Sequence, residues 1–64
     1  MSRYYIVKNY KDTNWRDTYF DHKDFAFTTN VRKFTLFRNK EDVEAFKHVL
    51  EFYGNQGLTI REVG

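Results

Sequence analysis

Residues 39–54 read NKEDVEAFKHVLEFYG, and this stretch decides the class of fold. Its apolar side chains recur at intervals of three or four residues, which is the spacing of one face of a helix. The members of this face are Val43, Phe46, Leu50 and Tyr53. Asn39 is a residue type that caps helix starts, Asp42 follows three residues later as in a capping box, and Gly54 is suited to end a helix. The stretch therefore predicts a helix over about residues 40–53.

The apolar face of this predicted helix is wide. Ala45, Val49 and Phe52 extend it to about half of the circumference, whereas a surface helix needs a stripe of only about 100°. Phe52 lies at the outer edge of this arc. Either the sheet curves around the helix or this edge contacts a partner. A second copy of the chain is one such partner, because dimerisation lets a very small domain bury more surface.

The segments on either side of the helix read as strands. Five stretches are rich in aromatic and β-branched residues and are separated by polar turns. They are residues 4–9, 15–20, 25–28, 33–37 and 58–63. One helix can cover only one face of such a sheet. The sequence therefore predicts an α+β fold, a small two-layer sandwich with a mainly antiparallel sheet of four to five strands, one face of which stays open.

Length and composition place the chain among single small domains. Its 64 residues include seven Phe, five Tyr and one Trp, but no Cys. A domain of this length buries only about 60% of the surface that its unfolded chain exposes. Because no disulfide or thiolate metal site can be formed, the aromatic side chains must supply the core. Residues 1–64 are predicted to form one domain.

No apolar run reaches the roughly 18 residues that a membrane-spanning helix requires, and the first residues lack a signal-peptide pattern. We therefore expect a cytoplasmic protein that makes no membrane contact. Charge is unevenly distributed: residues 1–40 hold nine Lys or Arg and four Asp, net +5, whereas residues 41–64 hold two basic and five acidic residues, net −3. This polarity permits a phosphate-bearing partner without requiring one.

The densest group of acidic and imidazole side chains does not predict an active site. Asp12, Asp17, Asp21, His22 and Asp24 could in principle hold a divalent cation. However, residues 21–24 read as a hairpin turn, in which Asp is favoured because it hydrogen-bonds to the backbone. The only serine and the other histidine lie elsewhere and form no nucleophile–base pair. The sequence predicts a protein that is not an enzyme and needs no metal or cofactor.

Residues 23–28, KDFAFT, resemble the aromatic core motif of RNA-recognition domains, which stack bases at the positions of Phe25 and Phe27. Asp24 stands where that motif has glycine, and the segment lies about seven residues too early relative to the helix. Single-stranded nucleic-acid binding, to RNA or DNA, is therefore the alternative function. The residues that would carry it are Lys8, Lys23, Phe25, Phe27, Arg32 and Lys33.

The leading hypothesis is a protein partner bound on the open face of the sheet. Trp, Tyr and Arg dominate the energetics of protein interfaces, and a preformed sheet loses little entropy on docking. The residues predicted to contact the partner are Tyr5, Trp15, Arg16, Tyr19 and Phe52. The competing explanation is that these aromatic side chains form only a core or a homodimer seam.

The second half of the chain, FTLFRNKEDVEAFKHVLEFYGNQGLTIREV at residues 34–63, and YYIVK at residues 4–8 resemble very small phage and prophage proteins. The shared pattern is a short aromatic strand, a Lys-Glu-Asp helix start, a Gly turn and an Ile-x-x-Val strand. The resemblance implies a small accessory protein of a phage or mobile element, a class in which some members inhibit host or defence proteins. It assigns no functional residue.

Overall fold

The computed structural model describes residues 2–9 and 16–63. They form four strands and one helix: β1 Arg3–Lys8, β2 Thr18–Asp21, β3 Ala26–Thr28, α1 Lys40–Phe52 and β4 Leu58–Val63. The strands make one sheet in the order β3-β2-β1-β4, and every neighbouring pair is antiparallel. This architecture confirms the predicted α+β fold with one helix.

The core lies between α1 and one face of the sheet. Its fully buried members come from every part of the chain: Ile6, Phe20, Phe37, Val43 and Leu50. Alternation along the strands sets which residues enter this core, because successive side chains of a strand point to opposite faces. Even-numbered residues of β1 and β4 point to the helix side, so that Ile6 and its cross-strand partner Ile60 share that face.

The predicted strand at residues 33–37 does not form. Instead, this segment is an irregular connection that hydrogen-bonds to two strands. Tyr4 and Phe37 exchange a pair of backbone hydrogen bonds of 2.9 and 2.7 Å, and the Thr35 N–H donates to the Phe20 carbonyl at 2.9 Å. β1 and β2 pair only at Val7 opposite Tyr19 and at Lys8 opposite Thr18. The segment therefore supplies hydrogen bonds to β1 and β2 where the two strands no longer pair with each other.

Two further strand boundaries differ from the prediction. β2 begins at Thr18 rather than at residue 15, and Trp15 lies outside the described residues. Phe25 belongs to the turn at residues 22–25 and not to a strand. The predicted turn at residues 21–24 is thus present one position later. The Asp21 carboxylate stabilises it by accepting the Lys23 backbone N–H at 3.1 Å.

The C-terminal end of α1 is capped by hydrogen bonds, whereas its N-terminal end has no side-chain cap. Asn39 occupies the N-cap position, but its side chain makes no capping bond and instead donates to Asp42 Oδ2 at 3.2 Å, so the predicted capping box is not formed. The helix ends at Phe52 in a Schellman motif, in which Gly54 donates to the Glu51 carbonyl and Asn55 to the Leu50 carbonyl. Gly54 has φ +96°, which a glycine adopts without steric cost.

Candidate functional site

The face of the sheet opposite α1 carries three aromatic rings that contact one another. Tyr5 of β1 and Tyr19 of β2 lie 5.8 Å apart between ring centroids, and Phe34 lies 5.2 Å from each of them. We call these three residues the sheet-face cluster. All three side chains are half-buried, because Phe34 comes from the segment that follows β3 and covers part of this face. The predicted open face is therefore partly closed by the chain itself.

An ion pair spans the same face of the sheet. Arg61 of β4 donates to Asp17 Oδ2 at 3.2 Å, and the Asn9 side chain donates to Asp17 Oδ1 at 2.7 Å. The hydrogen bond from Asn9, followed by the hydrogen bond and charge of Arg61, lowers the pKa of Asp17 below its ordinary value of 3.8. The same contact raises the pKa of Arg61. The guanidinium charge on this face is thus matched by a carboxylate.

The turn at residues 22–25 is stabilised by a second group of charges. Lys33 donates a hydrogen bond to Asp24, which lowers the pKa of Asp24 and raises the pKa of Lys33. The ammonium of Lys33 also lies 3.9 Å from the buried carboxylate of Asp21. Lys33 is therefore already neutralised by two acidic side chains and offers little charge to an incoming phosphate.

Among the described residues, the three most exposed aromatic side chains lie together on the helix side of the molecule. Phe25 is 53% exposed, Phe52 is 87% exposed and Tyr53 is 69% exposed. The Tyr53 ring centroid lies 6.3 Å from that of Phe25 and 6.0 Å from that of Phe52, both edge-to-face. We call these three residues the aromatic patch. It joins the turn before β3 to the C-terminal end of α1.

Phe25 is held in the aromatic patch against its backbone preference. Its φ is +50°, in the left-handed region, where a side chain with a Cβ costs roughly 1–2 kcal/mol. The ring packs edge-on against the buried Phe20, with centroids 5.6 Å apart. This contact connects the patch to the core and compensates for the backbone conformation.

The structure does not bring the residues of the predicted protein-binding surface together. Tyr5 and Tyr19 belong to the sheet-face cluster, and Arg16 is exposed just before β2. Phe52 lies on the helix side in the aromatic patch, and Trp15 falls outside the described part of the chain. The predicted surface is therefore divided between two sides of the molecule.

Two of the residues predicted for nucleic-acid binding, Lys8 and Phe27, lie on the face of the sheet opposite Tyr5 and Tyr19. The Lys8 ammonium lies over the Phe27 ring at 5.4 Å from its centroid, on the helix side of the sheet, and donates to Asn55 Oδ1 at 3.4 Å. Strand alternation explains the separation, because Lys8 is three residues from Tyr5 and so points to the opposite face. Lys23 and Arg32 are exposed in turns.

The sequence does not predict that Tyr53 belongs to the aromatic patch or that Phe34 belongs to the sheet-face cluster. Tyr53 was assigned to the core face of the helix, yet it lies beyond the last helical residue and is largely exposed. Phe34 was placed in a strand, whereas it closes the sheet-face cluster from an irregular segment. The signal available for Tyr53 was its position next to Gly54, where a helix ends and side chains leave the helical face.

The acidic and imidazole side chains considered as metal ligands instead make hydrogen bonds and ion pairs within the protein, where the structure describes them. His22 pairs its Nδ1 atom with the Thr35 hydroxyl at 3.0 Å, and Asp17, Asp21 and Asp24 have the contacts given above. Within residues 2–9 and 16–63, no three His, Asp or Glu side chains are grouped so that they could hold a metal ion. Asp12 lies outside these residues. The described part of the chain contains no helix long and apolar enough to cross a membrane.

Comparison with protein-family models gives no match, and comparisons with curated proteins and with solved structures likewise give none. The function must therefore be argued from the geometry of this molecule.

Proposed function

We propose that the protein is a non-enzymatic protein-binding module that contacts its partner through the aromatic patch. The observation that carries this proposal is the joint exposure of Phe25, Phe52 and Tyr53, three neighbouring rings in a chain that needs its aromatic side chains for its core. Contiguous exposed apolar surface on a small domain is typical of an interaction site. Aromatic side chains are also enriched at the centres of protein interfaces, where they contribute most of the binding energy.

The strain at Phe25 supports the same proposal. A glycine in this position would adopt φ +50° without steric cost, but the chain has a phenylalanine whose ring is half exposed. A residue kept in a disfavoured conformation suggests that its side chain has a role beyond the turn. The ring of Phe25 widens the patch from the helix end toward β3.

The geometry of the patch favours a protein over single-stranded nucleic acid. Its rings meet edge-to-face, with interplanar angles of 85° and 81°, which leaves no parallel platform on which successive bases could stack. Lys33 is neutralised by Asp24 and Asp21, and Lys8 is directed at Phe27 and Asn55. Edge-to-face rings are instead suited to receiving apolar side chains of a protein.

Tyr5 and Tyr19 of the sheet-face cluster, with the exposed Arg16 just before β2, remain a predicted second contact surface. Because the two tyrosine rings contact each other and Phe34, a partner could reach only part of each ring. We expect them to contribute less binding energy than the aromatic patch. The class of partner that the phage resemblance implies, a host or defence protein that is inhibited by the contact, also stays a prediction.

The test is an affinity capture followed by a binding measurement on each captured protein. Phe52→Ala removes the most exposed ring of the patch, and we expect it to weaken binding by roughly 10-fold or more. Val31→Ala is the matched control, because Val31 is also an exposed apolar residue but lies in the connection after β3. Both variants should retain the circular dichroism spectrum of the wild type.

A parallel measurement tests the nucleic-acid alternative. Fluorescence anisotropy with labelled RNA and DNA oligonucleotides at low salt should show no saturable binding. Tight binding that falls steeply with salt, together with equal capture of proteins by Phe52→Ala and Val31→Ala, would overturn the proposed function in favour of nucleic acid.

A further inference from the structure

β4 is an edge strand of the sheet. It pairs with β1 along its whole length, from Val63 opposite Arg3 to Leu58 opposite Lys8, and no described strand lies on its other side. An edge strand presents unpaired backbone N–H and C=O groups that can pair with another strand. β4 has six residues, which is about the usual length of a strand within a sheet.

The hydrogen bonds of β1 show which groups of β4 point outward. Tyr4 exchanges both of its backbone hydrogen bonds with Phe37, so the backbone N–H and C=O groups of Tyr4 point away from β4. The backbone groups of its neighbours Arg3 and Tyr5 therefore point toward β4. Consistently, Asn9 donates to the Gly57 carbonyl. The residues of β4 that bond to β1 are therefore Thr59, Arg61 and Val63. The free edge carries the N–H and C=O groups of Leu58, Ile60 and Glu62.

This edge lacks the usual protection against pairing. Natural edge strands are blocked by proline, by a bulge or by charged side chains, lysine above all. The chain contains no proline, and the β1–β4 register is continuous without a bulge. The one cation of the strand, Arg61, is turned back over the sheet to Asp17. Only Glu62 remains as a charge beside the outward backbone groups.

We propose that β4 pairs antiparallel with β4 of a second copy of this chain, about a two-fold axis at Ile60. The outward positions are symmetric about Ile60, so this register pairs Ile60 with Ile60 and Leu58 with Glu62 of the second copy. Every outward N–H and C=O group of the strand then has a partner. The product is a continuous eight-stranded sheet with both helices on the same side.

Side-chain charge and the length of the strand favour this register over its neighbours. With the axis at Ile60, Thr59 lies opposite Arg61 of the second copy, and no like charges face each other. Moving the axis to Arg61 places two guanidinium groups directly opposite, which is unfavourable in an antiparallel pair. An axis midway between two residues places outward groups opposite inward groups and forms no ladder. An axis at Thr59 pairs Leu58 with Ile60 of the second copy but leaves Glu62 opposite Gln56, which lies outside the strand. Only the axis at Ile60 pairs all three outward residues of β4 within the strand.

The paired edge and the aromatic patch share no residue. Phe25 adjoins β3, which is the opposite edge of the sheet in the order β3-β2-β1-β4. The pairing of β4 uses no residue of the aromatic patch, so this proposal does not depend on the proposed function. Because one pair of six-residue strands is small beside a typical interface of roughly 1,600 Å², we expect association only at high protein concentration.

Sedimentation equilibrium at increasing concentration, up to about 1 mM, is expected to show a monomer–dimer equilibrium. Thr59→Lys places a cation opposite Arg61 at two symmetric positions, and should raise the dissociation constant by about 2- to 30-fold. Thr59→Glu should lower it, a change of sign that unfolding cannot produce. The control is Thr29→Lys, which adds the same charge at an exposed position outside β4.

Amide hydrogen exchange provides a readout that requires no variant. At high concentration the amides of Ile60 and Glu62 should gain protection, whereas those of Thr59 and Arg61, already bonded to β1, should be protected at every concentration. A chain that stays monomeric to about 1 mM would overturn the proposal. So would a dimer in which Thr59→Lys and Thr29→Lys have equal effects, or one without the alternating gain in protection.

Discussion

Phe25 is the residue at which local and tertiary preferences compete. Its backbone has the conformation that a four-residue turn requires, at φ +50°, while its ring occupies the space between Phe20 and Tyr53. Glycine would adopt the left-handed backbone without steric cost, whereas alanine would keep that cost and also lack the ring. The two substitutions therefore separate the free-energy cost of the left-handed backbone from the contribution of the ring to stability.

We predict that Phe25→Gly is more stable than Phe25→Ala by about 1 kcal/mol, because only glycine relieves the left-handed conformation. Urea unfolding followed by circular dichroism measures this difference in the free energy of unfolding. Both variants should weaken partner binding, since both remove the ring. Equal stability of the two variants would show that the turn does not impose the left-handed conformation in solution.

Asp17 determines part of the response to acid. Its pKa is lower in the folded protein than its ordinary value of 3.8, because Asn9 and Arg61 hydrogen-bond to the charged form. A group whose pKa is depressed by folding contributes stability above the unfolded pKa and loses it as the pH falls through the folded pKa. Folding stability is therefore expected to decrease below about pH 4, with Asp24 acting in the same direction through Lys33.

The pH prediction is tested with Asp17→Asn. This variant should lose less stability than the wild type between pH 5 and pH 3 (roughly the range around an ordinary Asp pKa), as measured by the urea midpoint. The double variant with Arg61→Gln should show the same pH dependence as Asp17→Asn alone, because Arg61 acts through Asp17. A steeper acid transition in Asp17→Asn would contradict the assigned contacts.

Among the elements of the fold, residues 34–37 have a strand-like sequence but form an irregular segment that contributes one ring to each face of the sheet. Phe37 is buried in the main core and lies 5.1 Å from the Phe46 ring, whereas Phe34 reaches the opposite face of the sheet. The segment thus places one ring in each layer while its backbone bonds to Tyr4 and Phe20. The aromatic and β-branched residues of the segment predict a strand, but no partner strand in the described part of the chain lies beside it along its length.

The two rings of this segment should differ in their effect on stability. Phe37→Ala is expected to cost about 3–5 kcal/mol, since it empties a fully enclosed site. This amounts to most of the stability expected for a domain of this size. Phe34→Ala should cost less, about 1–2 kcal/mol, because its ring is only partly buried. Thermal and urea unfolding measure the loss in the free energy of unfolding for each variant. An equal loss in both variants would show that the sheet-face cluster contributes as much stability as the core.

For the molecule as a whole, two surfaces are proposed as contact sites, the aromatic patch and the free edge of β4. Phe25 of the patch adjoins β3, at the opposite edge of the sheet from β4, and the two surfaces share no residue. Mutations at sites that do not touch are expected to act independently. The sheet-face cluster lies between them on the face opposite α1 and is partly covered by Phe34.

We therefore predict that Phe52→Ala leaves the dimerisation constant unchanged and that Thr59→Lys leaves partner affinity unchanged. Sedimentation and a direct binding titration on the same preparations provide both values. If Phe52→Ala also shifted the monomer–dimer equilibrium, the aromatic patch would be part of the contact between copies rather than a site for another protein.

The amino-acid sequence by itself determined the helix, its end at Gly54, four of the strands and the α+β class. These features depend on periodicity and on residue types that act over a few neighbours, so they are visible in a single chain. The sequence also located the turn near residues 21–24 and placed Phe52 at the edge of the apolar arc of the helix, whereas its exposure is visible only in the structure.

Only the tertiary structure decided which faces these residues share. A shift of one position in a strand moves a side chain to the opposite side of the sheet, so small errors at strand boundaries separate residues that the sequence places together. This is why Phe25 left its predicted strand for the aromatic patch. The order of the strands and the pairing of β1 with Phe37 depend on contacts between residues distant in sequence, and the strand order makes β4 a free edge.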